Sequence, residues 1–440
     1  MNSRTETAAP MGFNREDIDS TLDRLQKAAF EYFLHYSNPA NGLVQDTSRE
    51  GSPASIAVVG FALSCYPVGV ERGWLERDKA CDLTLSTLRF FAQSRQNSAA
   101  DKVTGYKGFY YHFLDMKSGE RVWNCELSVI DSTMLIAGVL TAGLYFDRDQ
   151  PQEQELRDLA QQLYDKVDFD WAQDERGTLT QGWTPAGGFI HYDWEGYSEA
   201  ILLYALAAAS RDMPDMNRAY NAWTKTYQWE QIYDHDCLYA GPLFIHLFSH
   251  AWIDFREIQD PFMRVRNTDY FANTASAVAI QRDYCQRNPG NFAHYGTNSW
   301  GITACDGPVG ELKTRDGSKR QFFGYAARGV PYGPDDGTLA PWAALATLPF
   351  SPDTSIACLF NMLENYPGVL EADRFTGSFN PSLPGKGPEG WVSPGCYGLD
   401  QGLVVMMIEN FRSGMIWKLT RGSPIFRRGL TGAGFSGGWL

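Results

Sequence analysis

Apolar residues recur every three to four positions along most of this chain, the spacing that places them on one face of an α-helix. Several of these stretches, such as residues 201–210 and 273–280, are rich in Ala, Gly and Ser, which favours close packing between helices. The pattern predicts helices over residues 17–36, 55–66, 78–94, 129–146, 152–166, 196–210, 243–257, 270–286, 340–349, 353–365 and 400–413.

Long segments containing Gly, Pro and Trp separate the predicted helices, as in residues 104–125, 180–195, 288–339 and 366–399. Long loops in a compact domain are usually functional. No repeat of roughly 30 to 45 residues recurs, which argues against a solenoid. We therefore predict an all-α fold of helical hairpins in a ring, with the aromatic loops forming a cleft at one end. Residues 15–440 are expected to form a single domain, preceded by a flexible segment over residues 1–14.

Composition narrows the ligands that such a cleft could bind. Aromatic residues make up 14% of the chain, with 13 Trp and 22 Tyr. Their flat apolar faces suit sugar rings as well as a protein core. The formal net charge of −14 disfavours nucleic acid and anionic membrane surfaces as partners, whereas a neutral polymer remains compatible.

Neither a membrane anchor nor a zinc-binding cysteine pattern is visible. No apolar run of about 18 residues occurs, so no membrane insertion is expected. The polar N-terminus lacks the apolar core of a signal peptide, which leaves open a cytoplasmic protein or a removed signal. The eight cysteines form no CxxC pair, and we expect most of them to be small buried residues.

The first candidate acids lie within residues 123–140. Asp131 stands where a helix should begin and could be its N-cap or a cleft residue. Glu126 lies just before it, beside Trp123, where burial could raise the pKa of its carboxyl group. This setting makes Glu126 a candidate general acid and Trp123 a candidate substrate contact.

A second group lies within residues 188–207. If Glu195 and Glu199 both belong to the helix that follows, they share one of its faces, and their repulsion needs compensation. A cleft that binds hydroxyl groups or moves protons could use such a pair, and we predict that Glu126 or Glu195 is the general acid. The neighbouring candidates for substrate binding are His191, Trp194 and Tyr197.

His246, His250 and Asp254 recur every fourth residue on an otherwise apolar helix, so they should share one stripe. Two imidazoles at this spacing can bind zinc. The HExxH pattern is missing, however, and we favour a hydrogen-bonded wall of the pocket without a metal.

Further candidates follow in the second half of the chain. Asp306 precedes Gly-Pro, so turn formation competes with a role in the cleft. Trp300 and Trp342 could be sugar platforms, and Asp400 is either a helix cap or a cleft acid. The chain has no GxSxG, Walker A or GxGxxG motif. Abundant carboxylates beside abundant aromatic residues are what glycoside hydrolysis needs.

Six segments, in this order along the chain, together resemble the glycoamylase-like family, which includes endo-β-1,2-glucanases of glycoside hydrolase family 144. They are LSVIDSTMLIAGVL (127–140), WEGYSEAILLYALA (194–207), PLFIHLFSHAWIDFR (242–256), WGITACDGP (300–308), DGTLAPWAALATLPFSP (336–352) and GLDQGLVVMMIENFRSGMIW (398–417). The resemblance spans residues 15–420 and departs from the family at Cys125 and Cys305.

The resemblance implies an (α/α)6 toroid that hydrolyses β-1,2-glucan with inversion, without a metal or other cofactor. An endo-acting enzyme is the leading expectation. An exo-acting enzyme that releases sophorose, a transglycosylase and a glucan-binding protein without turnover are the alternatives. The substrate class suggests a periplasmic or secreted location. We also expect a monomer. The residues that the resemblance places in or beside the cleft are Glu126, Asp131, Glu195, Glu199, Asp306 and Asp400.

Overall fold

A computed structural model describes residues 14–210 and 215–440. The predicted flexible segment lies outside these ranges, apart from Asn14. The Asn14 side chain accepts a hydrogen bond from the backbone N–H of Asp17 and so caps the first helix.

The described residues form a helix-rich protein with one large hydrophobic core. Its α-helices are α1 (Arg15–His35), α2 (Ile56–Glu71), α3 (Arg77–Gln93), α4 (Val129–Tyr145), α5 (Pro151–Asp165), α6 (Ile201–Ala209), α7 (Met216–Trp223), α8 (Leu243–Trp252), α9 (Pro261–Val265), α10 (Tyr270–Arg287), α11 (Pro341–Ala346), α12 (Pro352–Asn365), α13 (Gly398–Arg412), α14 (Met415–Gly422) and α15 (Pro424–Gly432).

Each predicted helix has a counterpart, with two differences that matter for the site. Helix α6 begins only at Ile201, and Gly196 in the preceding loop has a φ of +89°. Glu195 and Glu199 therefore do not share a helical face. Helix α8 ends at Trp252, so Asp254 lies beyond the helix that carries His246 and His250.

Six of the helices are buried around almost their whole circumference: α2, α4, α6, α8, α11 and α13. Each contacts the next in this order, and α13 contacts α2, so the series closes on itself. Other helices pack outside this series, for example α3 and α5 against α2 and α4. The small residues of α6 are part of this arrangement, since its Ala-rich sequence is buried along almost its whole length.

The connecting segments contain short strands that the all-α prediction did not anticipate. The strands are β1 (Ala54–Ser55), β2 (Gly105–Tyr106), β3 (Phe109–Tyr111), β4 (Phe113–Leu114), β5 (Leu127–Ser128), β6 (Gly182–Thr184), β7 (Gly188–Phe189), β8 (Trp229–Ile232), β9 (His235–Leu238), β10 (Ala304–Cys305), β11 (Val309–Lys313), β12 (Lys319–Phe323), β13 (Ala326–Ala327), β14 (Leu370–Glu371), β15 (Arg374–Phe375), β16 (Phe379–Asn380) and β17 (Trp391–Val392). A five-stranded antiparallel sheet has the order β2, β3, β5, β6, β7, and the remaining strands form two-stranded antiparallel sheets.

Two of the strands end where a buried helix begins. Strand β5 runs directly into α4, and the side chain of Ser128 accepts a hydrogen bond from the N–H of Asp131 to cap that helix. Strand β1 runs into α2 in the same way, and the N–H of Ile56 donates to the carbonyl of His112. These two junctions therefore fix polar groups at the N-terminal ends of α2 and α4.

None of the helices in the described ranges is long and apolar enough to span a bilayer. All eight cysteines carry free thiols, and seven of them are buried, as the sequence predicted for most of them.

Candidate active site

A cavity of about 250 Å³ opens at the N-terminal ends of the inner helices. Its lining combines carboxyl groups with aromatic rings. The acids are Asp131, Glu199, Asp306 and Asp400, and the aromatic residues are Phe244, Phe248, Tyr325, Trp342 and Tyr397. His112 and Cys305 complete its polar side.

Glu199 is a buried carboxyl group held just before α6. Burial, supported by the nearby charge of Asp131, raises its pKa to about 7. Its backbone carbonyl accepts a hydrogen bond from Ser249 Oγ at 2.7 Å, which ties this loop to α8. Glu199 can therefore hold a proton near neutral pH inside the cavity.

Asp131 lies in the first turn of α4 and is buried. Ser128, the N-cap of α4, donates its hydroxyl to the Asp131 carboxylate. His112 Nε2 lies 3.7 Å from Asp131 Oδ2. Asp131 is thus a cavity acid rather than the helix cap.

Asp400 occupies the first turn of α13, where Tyr397 is the N-cap. Burial raises the pKa of Asp400 well above its usual range, and the charges of Asp46 and Asp306 act in the same direction. Burial also raises the pKa of Asp46, to about 6, although the positive charge of His112 opposes that shift. Two further carboxyl groups in this region are therefore disposed to carry protons.

Asp306 is surrounded by hydrogen-bond donors. Arg49 Nη2 and the Tyr397 hydroxyl both donate to its Oδ2, and Ser393 Oγ lies 3.3 Å from the same atom. Arg49 also donates to Tyr397 at 2.9 Å. This network fixes the orientation of the Asp306 carboxylate, and Asp306 is not merely a turn residue.

Glu126 does not line the cavity, but its side chain contacts His112, which does. The distance from His112 Nδ1 to Glu126 Oε1 is 2.8 Å. Burial disfavours the charge of Glu126, but its hydrogen bond with His112 and the positive charge of that ring outweigh this effect and lower the pKa of Glu126. This contradicts the prediction that burial keeps Glu126 protonated as the general acid.

The structure does not place Glu195, the other predicted general acid, in the cavity. Its carboxylate pairs with Arg176 Nη1 at 2.9 Å, and the same guanidinium bonds Asp193 and Asp174. This ion-pair cluster is partly exposed and does not line the cavity. Of the two acids of this segment, only Glu199 lines the cavity.

The predicted aromatic contacts separate into cavity and non-cavity residues. Trp342 lines the cavity and donates its indole N–H to the carbonyl of Gly377 at 3.1 Å. Trp300 is fully buried in the core and cannot be a sugar platform. Trp123 is 70% exposed on the protein surface, next to Phe113 but outside the cavity lining. His191 is exposed, again outside that lining.

Trp194 and Tyr197 are half-buried parts of the scaffold rather than cavity residues. The carbonyl of Trp194 accepts a hydrogen bond from Tyr204 at 2.8 Å, and Tyr197 OH lies 3.1 Å from His246 Nδ1. Their aromatic character serves packing around α6 and α8, which explains why sequence alone could not distinguish them from substrate contacts.

The predicted stripe of His246, His250 and Asp254 is a set of structural residues. His246 Nε2 bonds the carbonyl of Ala240 at 3.0 Å, and burial lowers the pKa of this imidazole to about 4. Burial lowers the pKa of His250 to about 3. Asp254 is fully buried, paired with Arg256 at 2.5 Å. None of the three lines the cavity described above, and Asp254 lies beyond the end of α8, the helix that carries the two histidines.

Within residues 14–210 and 215–440, no group of three or more His, Cys, Asp or Glu side chains is arranged to hold a metal ion.

Sequence reasoning missed several residues of the site, namely Asp46, Arg49, His112, Tyr325 and Tyr397. They come from loops distant in sequence from the helix starts on which the prediction was based. One available signal was the polar segment DTSRE (46–50), where an acid and a base lie close together between apolar stretches.

A helix-rich scaffold directs acids, an imidazole and aromatic rings into one cavity, an arrangement that can hydrogen-bond hydroxyl groups and exchange protons with them. Residues 191–424 match the family described as "Glycoamylase: Putative glucoamylase". The chain belongs to this family, which confirms the resemblance seen in the sequence motifs.

Similarity extends over nearly the whole chain. A curated relative from Parabacteroides distasonis, an "exo beta-1,2-glucooligosaccharide sophorohydrolase (non-reducing end)", is 26% identical over 98% of this chain. The chain spans 59% of the length of that relative.

Two solved structures have the same fold. A "putative glucoamylase" from Bacteroides uniformis has a TM-score of 0.84 and 27% identity, with 96% of this chain and 98% of that chain covered. An endo-β-1,2-glucanase from Chitinophaga pinensis, in complex with sophorotriose and glucose, has a TM-score of 0.83 and 24% identity, with 96% and 99% covered.

Proposed function

We propose that this chain is a glycoside hydrolase that cleaves β-1,2-glucan. The observation that carries the proposal is the buried Glu199 carboxyl group, which lines the same aromatic cavity as Asp131 and has a pKa raised to about 7. Glycoside hydrolysis needs one protonated acid beside a second, ionised carboxylate. Family membership and the named activities of the similar proteins support the choice of substrate.

In this proposal, Glu199 donates its proton to the glycosidic oxygen as the bond to the leaving sugar breaks. Asp131 is the base, which takes a proton from the attacking water directly or through a substrate hydroxyl group. The Ser128 hydroxyl and the imidazole of His112 supply the donor and the positive charge that an anionic Asp131 needs. The different surroundings of the two carboxyl groups thus make Glu199 the acid and Asp131 the base.

The other cavity residues bind the sugar. The network of Arg49 and Tyr397 holds Asp306 ready to accept hydrogen bonds from hydroxyl groups, whereas a protonated Asp400 donates one. Trp342 and Tyr325 supply apolar faces for the ring. Their combination suits a neutral, hydroxyl-rich ligand.

We further propose endo cleavage with inversion on an (α/α)6 toroid. The closed order of the six buried helices supports this fold class. Exo cleavage that releases sophorose is the second candidate, favoured by the named activity of the Parabacteroides relative. A periplasmic or secreted location, proposed from the class of substrate, would bring the enzyme to such a polymer.

Incubation with linear β-1,2-glucan distinguishes these alternatives. Endo cleavage gives a ladder of oligosaccharides early in the reaction, whereas exo cleavage gives sophorose alone. Glucans with β-1,3 or β-1,4 linkages are the matched controls and should remain intact. Tight binding of β-1,2-glucan without any product would instead identify a binding protein, and the hydrolase proposal would be wrong.

We expect proton NMR of the first product to show the α-anomer before mutarotation, because inversion at a β-linkage produces it. Spectra recorded within the first turnovers at low temperature test this. Initial appearance of the β-anomer would indicate a retaining or transglycosylating enzyme with a carboxylate nucleophile.

We also expect activity to survive prolonged dialysis against a strong chelator. The reason is that His246 and His250 are buried and bonded to protein groups. The measurement is the turnover rate before and after dialysis. Loss of activity that added zinc or calcium restores would contradict this prediction.

A further inference from the structure

His112 is held between two acids by unequal contacts. Its Nδ1 lies 2.8 Å from Glu126 Oε1, a full hydrogen bond. Its Nε2 lies 3.7 Å from Asp131 Oδ2, which is too far for one. Nδ1 is therefore hydrogen-bonded within the protein, whereas Nε2 faces the cavity beside Asp131.

The ring is also fixed in orientation. It stacks on Phe113 with a centroid distance of 4.0 Å and an interplanar angle of 10°. The His112 N–H donates to the carbonyl of Glu126 at 3.0 Å, and its carbonyl accepts from Ile56 at the start of α2. Rotation of the imidazole away from the cavity would break the bond to Glu126 and the stack.

We infer that His112 is a cationic hydrogen-bond donor to the sugar hydroxyl that lies next to Asp131, and that Glu126 is the positioning residue that keeps it charged and oriented. The inference rests on the proposed function and adds to it a substrate contact and its support. With Glu126 on Nδ1, the Nε2–H of His112 has no acceptor among the described residues closer than Asp131 Oδ2, at 3.7 Å. A ligand oxygen between the two could accept a hydrogen bond from this N–H.

The surrounding charges support a protonated ring. Burial opposes the charge of His112, but Asp131, Glu126 and Asp46 outweigh it and raise the pKa of the imidazole to about 9. Because the folded pKa is raised, the charged donor is present below that pH and is lost as the pH rises through it. Replacing Glu126 with a neutral residue should therefore move this loss to lower pH.

The test uses the Glu199→Gln background, in which the ligand should bind without being cleaved and Glu199 no longer titrates. Binding of sophorotriose is measured by calorimetry from pH 6 to pH 10. Adding Glu126→Gln should leave affinity at pH 6 nearly unchanged and weaken it by roughly five- to tenfold at pH 8.5, since loss of one neighbouring charge lowers a pKa by about 1 to 3.

Two further variants separate positioning from a general structural effect. His112→Phe keeps the ring but removes both donors, and should weaken binding by roughly 10- to 100-fold below pH 9. Glu195→Gln removes a comparable carboxylate from the Arg176 cluster outside the cavity and should leave the pH dependence unchanged. Equal pH dependence with and without Glu126→Gln would overturn the inference.

NMR titration of the ligand-free protein keeps the inference testable if β-1,2-glucan is not the substrate. The His112 resonance, assigned by its absence in His112→Phe, should titrate near pH 9, and at lower pH after Glu126→Gln. A normal titration in both proteins would show that Glu126 does not hold the charge of His112. Absence of sophorotriose binding together with a shifted titration would count against the proposed substrate, not against this role of Glu126.

Discussion

Glu199→Gln should reduce turnover of β-1,2-glucan by roughly 100- to 10,000-fold, the range expected when a general acid is removed. Glutamine preserves the size of the buried side chain but has no proton to give to the leaving oxygen. The wild-type rate should also decline as the pH rises through about 7, because Glu199 then loses its proton. Steady-state kinetics between pH 5 and pH 9 measure both effects.

A substrate with a good leaving group provides the control for this assignment. An aryl β-sophoroside needs little protonation of its departing oxygen, so Glu199→Gln should impair its cleavage much less than that of the glucan. Thermal unfolding should show that the variant is folded. If turnover of the glucan stays above about a tenth of wild type, Glu199 is not the general acid.

Arg328→Met should lower the free energy of unfolding by about 3 to 5 kcal/mol, because it leaves a buried carboxylate without its cation. Arg328 and Asp336 are fully buried and joined by two hydrogen bonds of 2.7 and 2.8 Å. The same guanidinium donates to the carbonyls of Cys305 and Gly324 at 2.8 Å. Denaturant unfolding followed by tryptophan fluorescence gives the change in stability.

The exposed pair of Lys319 and Glu311 on the neighbouring hairpin is the matched control, because its side chains are 71% and 60% exposed. Lys319→Met should cost less than about 1 kcal/mol. The double variant Arg328→Met with Asp336→Leu should recover part of the lost stability, since it removes the uncompensated charge. Similar losses for Arg328→Met and Lys319→Met would mean that the buried pair contributes little.

The fold was predictable to the extent that burial follows helical periodicity. Helices such as α4 and α13 have long apolar stretches, and their starts were located within two residues. The start of α6 was placed five residues too early, because an apolar pattern does not reveal a glycine with positive φ in the preceding loop. Two-residue strands such as β5 are too short for an alternating pattern to be recognised.

The site was predictable where an acid stands at the start of a buried helix, as Asp131 and Asp400 do. The neighbouring residues that determine the chemistry of these acids could not be predicted from the sequence. His112 approaches Asp131 because strand β3 pairs with β5, which places Tyr111 opposite Leu127 just before α4. Likewise, nothing local distinguishes Glu195 from Glu199, and the difference comes from Arg176 on another loop.

Helices α2 and α4 cross where Gly60 meets Gly138, and a Cβ atom on Gly138 would lie 2.0 Å from the carbonyl oxygen of Gly60. The two backbones thus touch with no side chain between them that could be exchanged for a larger or smaller one. Because α4 carries Asp131 and α2 begins at the carbonyl of His112, the spacing of these groups is set by main-chain contact. Divergence of substrate range on this scaffold is therefore expected in the cavity side chains and the connecting segments, rather than in the spacing of α2 and α4.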